Sequence, residues 1–346
     1  MTDKLKQTVE HIGIPRLMIA GFLAVIFVTA YITGMSVPQL LSDSLVRVGM
    51  NGILVLAMVP TISCGVGLNF GLPLGVLCGL VGGLISMERG FVGFPGFFAA
   101  IAFAVPLAVV VGYLYSVLLE SVKGQEMMVG TYVGFSSVAV MCIFWLMAPF
   151  RNPELIWAIG GKGLRSTLTL GNYYGKVLNN FAVFEIFGIK ISGGLIGFFL
   201  LFCLLVYLFF RTKLGIAMLT AGANPVFAKS AGIDVRRMKS VGIIASTVLA
   251  AIGIIVYAQS YGFLQLYMAP LMMAFPAIAA ILIGGASLQR ATILNVIIGT
   301  VLFQTLLTTA LPVTSRVIQG DISEVARLII SNGMILYALT RSTGGK

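Results

Sequence analysis

Apolar residues run in long unbroken stretches along this chain, and most polar residues fall between them. Ten such stretches lie near 14–34, 45–64, 68–87, 97–119, 127–149, 192–210, 240–261, 271–288, 291–311 and 323–340. Each approaches the roughly 20 apolar residues that cross a hydrocarbon core as a helix. The short alternating segments of a membrane β-barrel are not seen. The pattern predicts an all-α fold: one polytopic membrane helix bundle over 1–346, with about ten transmembrane helices. The region 45–87 reads either as two helices or as one span followed by a broken one. The run from Ile14 to Thr33 is longer than a signal-peptide core and lacks an obvious cleavage site, so it reads as the first span.

Composition agrees. Of 346 residues, 59% are hydrophobic and 10% charged, against about 25% charged in a soluble domain. Mean hydropathy is +1.05. These values exclude a disordered chain, a disulfide scaffold and an ordinary soluble enzyme. The net charge of +11 then orients the spans. With both termini cytoplasmic, thirteen basic and five acidic residues fall inside, against nine and six outside, as the positive-inside rule requires. Residues 150–191 become a long extracytoplasmic loop and 211–239 a cytoplasmic one. The basic residues lie beside spans rather than in one soluble patch, so membrane lipid is the expected counter-charge, not nucleic acid.

Reactive clusters are missing. One histidine, His11, precedes the first span and cannot make a metal site alone. Cys64, Cys78, Cys142 and Cys203 lie inside spans without C-x-x-C spacing. No phosphate-binding loop, H-E-x-x-H or G-x-S-x-G occurs. Arg47, Glu88, Arg89, Glu120, Glu126, Glu324 and Arg327 read as span ends, which argues against a buried proton relay. The chain reads as a transporter rather than an enzyme, with no cofactor of its own. It draws its energy from a partner chain, or needs none.

Three local constellations stand out. Gly67, Gly71, Gly75, Gly79 and Gly83 recur every four residues, the spacing of one helix face. The ladder suits close helix packing; with Asn69 and Pro73 beside it, it also suits a broken, solute-lining segment. In 211–239, six basic residues surround Asn224-Pro225, a good cap and first position for a helix of about two turns up to Ala231. Gly232 suits the left-handed residue after it. So short a helix must pack on something. Either it packs on its own spans, or a cytoplasmic partner receives Val226, Phe227, Ser230 and Ala231. The segment 150–191 holds Trp157, Tyr173, Tyr174, Phe181 and Phe184, read as an interfacial belt or as a docking surface.

The stretch Gly222-Ala-Asn-Pro-Val-Phe-Ala-Lys-Ser-Ala-Gly-Ile-Asp-Val235 resembles the G-x-N-x-x-A-A-x-x-x-G-I-[DN] segment of ABC importer permeases of the branched-chain amino acid and ribose type. Ala277-Ile-Ala-Ala-Ile-Leu-Ile-Gly-Gly-Ala-Ser-Leu288 is similar to the run that follows it in that family, in the same order. The resemblance implies a permease that pairs with a second permease chain, the same or different. It also implies two ATPase subunits, carrying ATP and magnesium, on the cytoplasmic face, and an extracytoplasmic solute-binding protein. The chain would then sit as a multi-pass protein in the cell inner membrane, with Gly222 to Gly232 as its coupling helix. Sugar-type members carry an acid near the position of Asn69 and a further Gly-Gly after Leu288; this chain has neither. The expected solute is a small polar molecule: a simple sugar or nucleoside, or alternatively a branched-chain amino acid. A secondary carrier or channel is the rival class. Candidate lining groups are Asn69, Asn295, Gln304 and Thr308, with Phe70 and Phe303 as an apolar constriction.

Overall fold

The computed structural model describes residues 14–122, 124–157, 163–317 and 332–333. The first helices are α1 (Ile14–Ile32), α2 (Val37–Leu56), α3 (Met58–Ser63), α4 (Leu72–Glu88), α5 (Gly93–Ser121) and α6 (Glu126–Met147). A mixed segment follows, with β1 (Thr167–Thr169), α7 (Val177–Asn180), β2 (Val183–Ile186) and β3 (Ile189–Ser192). Then come α8 (Gly193–Arg211), α9 (Lys213–Ala223), α10 (Pro225–Ser230), α11 (Val235–Tyr261), β4 (Phe263–Gln265), α12 (Ala274–Ile283) and α13 (Ile293–Val317). Nine of the ten predicted stretches contain helix; the tenth, 323–340, lies outside the described residues. Six helices among the described residues are long and apolar enough to cross a membrane: Val37–Ser63, Gly93–Ser121, Glu126–Met147, Gly193–Arg211, Val235–Tyr261 and Ile293–Arg316.

The spans divide into centre and rim. The most apolar window of Val37–Ser63 is 78% buried and that of Val235–Tyr261 is 72%, against 17% for Glu126–Met147. Helix α11 is therefore the axle, packed on α2, α4 and α5, while α13 closes on α1, α2 and α12. The rim helices turn Val110, Tyr113, Leu114, Tyr132, Ile143, Leu204 and Leu208 outward. Such faces suit hydrocarbon, where burying apolar atoms in protein gains nothing over lipid.

What brings α4 against the axle is the absence of side chains. A Cβ at Gly75 would lie 2.5 Å from the carbonyl oxygen of Thr247 on α11, and one at Gly79 would overlap Ile254 and Ala251. The glycine ladder is thus real from Gly75 to Gly83, but it is not one continuous helix face. Gly67 and Gly71 fall in a non-helical connection over 64–71, where Gly67 has φ 96°. The helix restarts only at Leu72, with Pro73 in its first turn, a position where proline's missing N–H costs nothing. The region 45–87 is therefore one span, a break and a second helix.

The bundle is not purely helical. β1 pairs antiparallel with β4, and β2 with β3. Both pairs involve residues just outside the spans, where backbone groups need partners that no helix supplies. The described residues of 148–192 do not form an open loop. Leu155, Leu164, Leu168, Leu170, Tyr174 and Leu178 are buried, and the segment is bonded to α11 through Gln259, whose carbonyl accepts from the Lys176 N–H at 2.7 Å.

Candidate functional site

At one end of the molecule, α10 stands as a six-residue helix with both ends capped. The Asn224 side chain accepts from the Phe227 N–H at 3.0 Å, Pro225 opens the first turn, and Gly232 follows the helix with φ 77°. Ala228 is buried, whereas Val226 is 79% and Phe227 59% exposed. An apolar pair held out on a rigid, capped helix is unusual unless something covers it. Of the four residues expected to meet a partner, Ser230 and Ala231 are exposed as well. The sequence pattern misses α9, the short apolar helix that carries α10 out from α8.

Beneath α10 the backbone is packed without side chains. A Cβ at Gly65 would lie 3.0 Å from Cα of Gly222, and one at Gly222 would lie 2.9 Å from the Gly65 nitrogen. The end of α9 therefore rests directly on the 64–71 break. From that break, Asn69 Nδ2 donates to Ser246 Oγ on α11 at 2.8 Å, and the Tyr115 hydroxyl of α5 donates to Asn69 Oδ1 at 3.4 Å. Asn69 is only 3% exposed. It ties the break to two spans rather than facing open space.

Beside α10 lies a cavity of about 410 Å³. Two of its three cations are paired, Arg236 with Glu120 and Lys239 with Glu126 at 3.5 Å; Lys229 also lines it. These pairs fasten the start of α11 to the end of α5 and the start of α6.

A second cavity, of about 300 Å³, lies toward the end that carries the strands. It is lined by Arg47 and Asn51 of α2, Tyr257 of α11, Gln265 of β4 and Gln304 of α13. The sequence pattern places Arg47 at a span end, because the apolar run looks clean only from about residue 45. The helix in fact begins at Val37, with Ser36 as its cap and Pro38 in its first turn. Those two residues are the signal that could have placed it. Ten residues at 1.5 Å each put Arg47 about 15 Å along the span, inside a 27-residue helical run.

The candidate lining residues do not gather in one place. Gln304 reaches the Arg47 cavity. Phe70 meets Phe275 edge-on at 6.1 Å. Phe303 is fully buried. Asn295 Nδ2 donates to the Gly284 carbonyl at 2.6 Å, bracing the Gly284-Gly285 turn, and Thr308 Oγ1 donates back to the Gln304 carbonyl. The aromatic segment splits too: Tyr174 is buried while Trp157, Phe181 and Phe184 are exposed. Burial pushes the Tyr174 phenol up, so it stays neutral. Among the described residues, no group of three His, Cys, Asp or Glu is placed to hold a metal ion.

A family model described as branched-chain amino acid transport system, permease component, matches residues 40–339. No curated protein and no solved structure matches the chain. The match spans the break, α10, both cavities and the Gly284-Gly285 turn. The chain therefore belongs to that permease family: it is a transmembrane permease subunit of an ABC transport system, a multi-pass protein of the inner membrane.

Proposed function

We propose that the chain forms half of the translocation path of an importer, completed by a second permease chain. In this reading ten spans leave both termini in the cytoplasm, ATPase subunits dock on α10, and an extracytoplasmic binding protein delivers solute at the strand-bearing end. The solute is a small polar molecule, with a simple sugar or nucleoside ahead of a branched-chain amino acid. The observation that carries the reading is the exposed Val226–Phe227 pair on a short capped helix set among basic residues.

The mechanism uses no chemistry in this chain. When ATP closes the partner dimer, α10 is pushed, and the end of α9 bears on the 64–71 break through the Gly222–Gly65 contact. Asn69 passes that displacement to α5 and α11. The packed faces are bistable rather than continuously deformable, so a small push at α10 switches the path between two openings.

The test is solute-stimulated ATP hydrolysis by the reconstituted transporter. Phe227→Asp puts a charge where an apolar side chain should dock, outside the folded core, so the permease itself should fold. Stimulated hydrolysis is expected to fall at least about tenfold, as removal of one buried interface anchor does. Normal stimulation, or uptake by the permease alone in vesicles without ATP, would remove α10 from the mechanism.

A further inference from the structure

The Arg47 cavity differs from the cavity beside α10, whose lining holds two carboxylates. The Arg47 lining holds one guanidinium, two kinds of amide (Asn51 with Gln265 and Gln304) and the Tyr257 phenol, but no carboxylate. Among the described residues no acid lies within ion-pair distance of Arg47. The nearest in sequence, Asp43, is one turn earlier on α2 and lines a separate recess with Lys190. A cation within a membrane-spanning helix is retained where it faces a cavity or a partner, and here the partner is not a described protein side chain. Guanidinium plus amide and hydroxyl groups is also the donor set that recognises planar or tetrahedral oxyanions by charge-assisted hydrogen bonds. A cavity of about 300 Å³ is at the small end of ligand sites.

We propose that this cavity receives the anionic group, a carboxylate or a phosphate, of the transported solute, with Arg47 as its counter-charge. The proposal rests on the permease reading above and narrows it, from a small polar solute to one that carries a negative charge. An ammonium group would find no acid in the same lining, so an acid without a compensating amine fits best. A neutral sugar would leave the guanidinium unpaired. Gln304 and Gln265, in the same lining, then serve neutral hydroxyls of the rest of the solute. The methionines Met272 and Met273, also in the lining, give that wall an adaptable surface.

The site can be read without knowing the solute. Ala269, a half-buried residue of the lining, is replaced by Cys in the full chain in phosphatidylcholine vesicles. Cys142 becomes Ser, because the other three cysteines are buried. An anionic sulfonatoethyl and a cationic trimethylammonioethyl methanethiosulfonate are then compared. The ratio of their reaction rates should be at least about tenfold higher with Arg47 than with Arg47→Gln, since a single charge in a low-dielectric cleft concentrates counter-ions that strongly. Arg47→Lys, which keeps the charge, should retain most of the ratio. D-gluconate or D-ribose 5-phosphate should slow the labelling, while D-glucose and D-ribose should not.

An equal ratio in Arg47 and Arg47→Gln overturns the proposal, as does equal protection, or none, from charged and neutral probes. A ratio that collapses once phosphatidylglycerol is added assigns Arg47 to a lipid headgroup and overturns it too. None of these results touches the ATPase readout of Phe227→Asp. The anion site can therefore fail while the permease reading stands, and the reverse.

Discussion

The molecule holds a cavity near each end, and charge is handled differently in the two. Beside α10, Arg236 and Lys239 are matched by Glu120 and Glu126 across helix boundaries. Beside β4, Arg47 has no acid in the lining it shares with Tyr257 and Gln304. Matched charges at the helix ends pin α11 to its neighbours and leave α10 as a firm platform. Among the described residues Arg47 has no acid partner, and on the proposed reading its charge serves something that arrives. In that reading, the comparison separates a part of the protein that is pushed from a part that is visited.

Glycine draws a parallel contrast, and it predicts the largest stability effects. Gly79→Leu should force α4 away from α11, because even a Cβ overlaps Ile254 and Ala251. Overpacking of this kind costs about 1–3 kcal/mol, visible as a drop in thermal stability of the detergent-solubilised chain. Gly197→Leu on the rim helix α8 has open space at its Cβ and should change that stability little. Equal losses at the two positions would erase the distinction between centre and rim.

The next effects are smaller and sit at the α10 end. Asn224→Ala removes the side-chain acceptor for the Phe227 N–H and should destabilise the local helix by about 1 kcal/mol. Faster amide exchange at Phe227 with unchanged exchange in α11 would report it. Asn69→Leu leaves Ser246 and Tyr115 without their shared partner inside the bundle. Losing a buried hydrogen bond of this kind costs about 0.5–1.5 kcal/mol, and coupled uptake should fall while assembly persists. The smallest effect belongs to Glu126→Gln. Its pair with Lys239 is partly exposed, so about 0.2–1 kcal/mol is expected, shrinking further in high salt.

Much of this architecture is legible along the chain. The apolar stretches locate the helices because a hydrocarbon core admits little else, and the Asn224, Pro225 and Gly232 signals locate α10 because caps obey local rules. What escapes are features set by neighbours. The glycine ladder looks continuous in sequence, yet Gly67 and Gly71 belong to a break braced by neighbours distant in the chain, among them Gly222, Tyr115 and Ser246. Segment 148–192 looks like a loop because its buried leucines are spaced by no single period; its strands find partners far away, as Leu168 does in Leu264. Arg47 looks terminal because the polar residues Gln39, Ser42, Asp43 and Ser44 precede it on the same helix. Asn69 stands out in the sequence beside the glycines, but its hydrogen-bond partner Ser246 is 177 residues away.

The division between the two ends is tested most directly by a thiol at Val226, which is 79% exposed at the tip of α10. Val226→Cys, with Cys142 replaced by Ser, is alkylated by a membrane-impermeant maleimide in the permease alone and in the assembled transporter. If α10 is the seat of the motor, assembly should slow the reaction at least about tenfold, as burial in the water-excluded centre of an interface does. The Ala269→Cys reporter near Arg47 should be unaffected. Equal alkylation of Val226→Cys with and without the ATPase subunits would contradict the assignment.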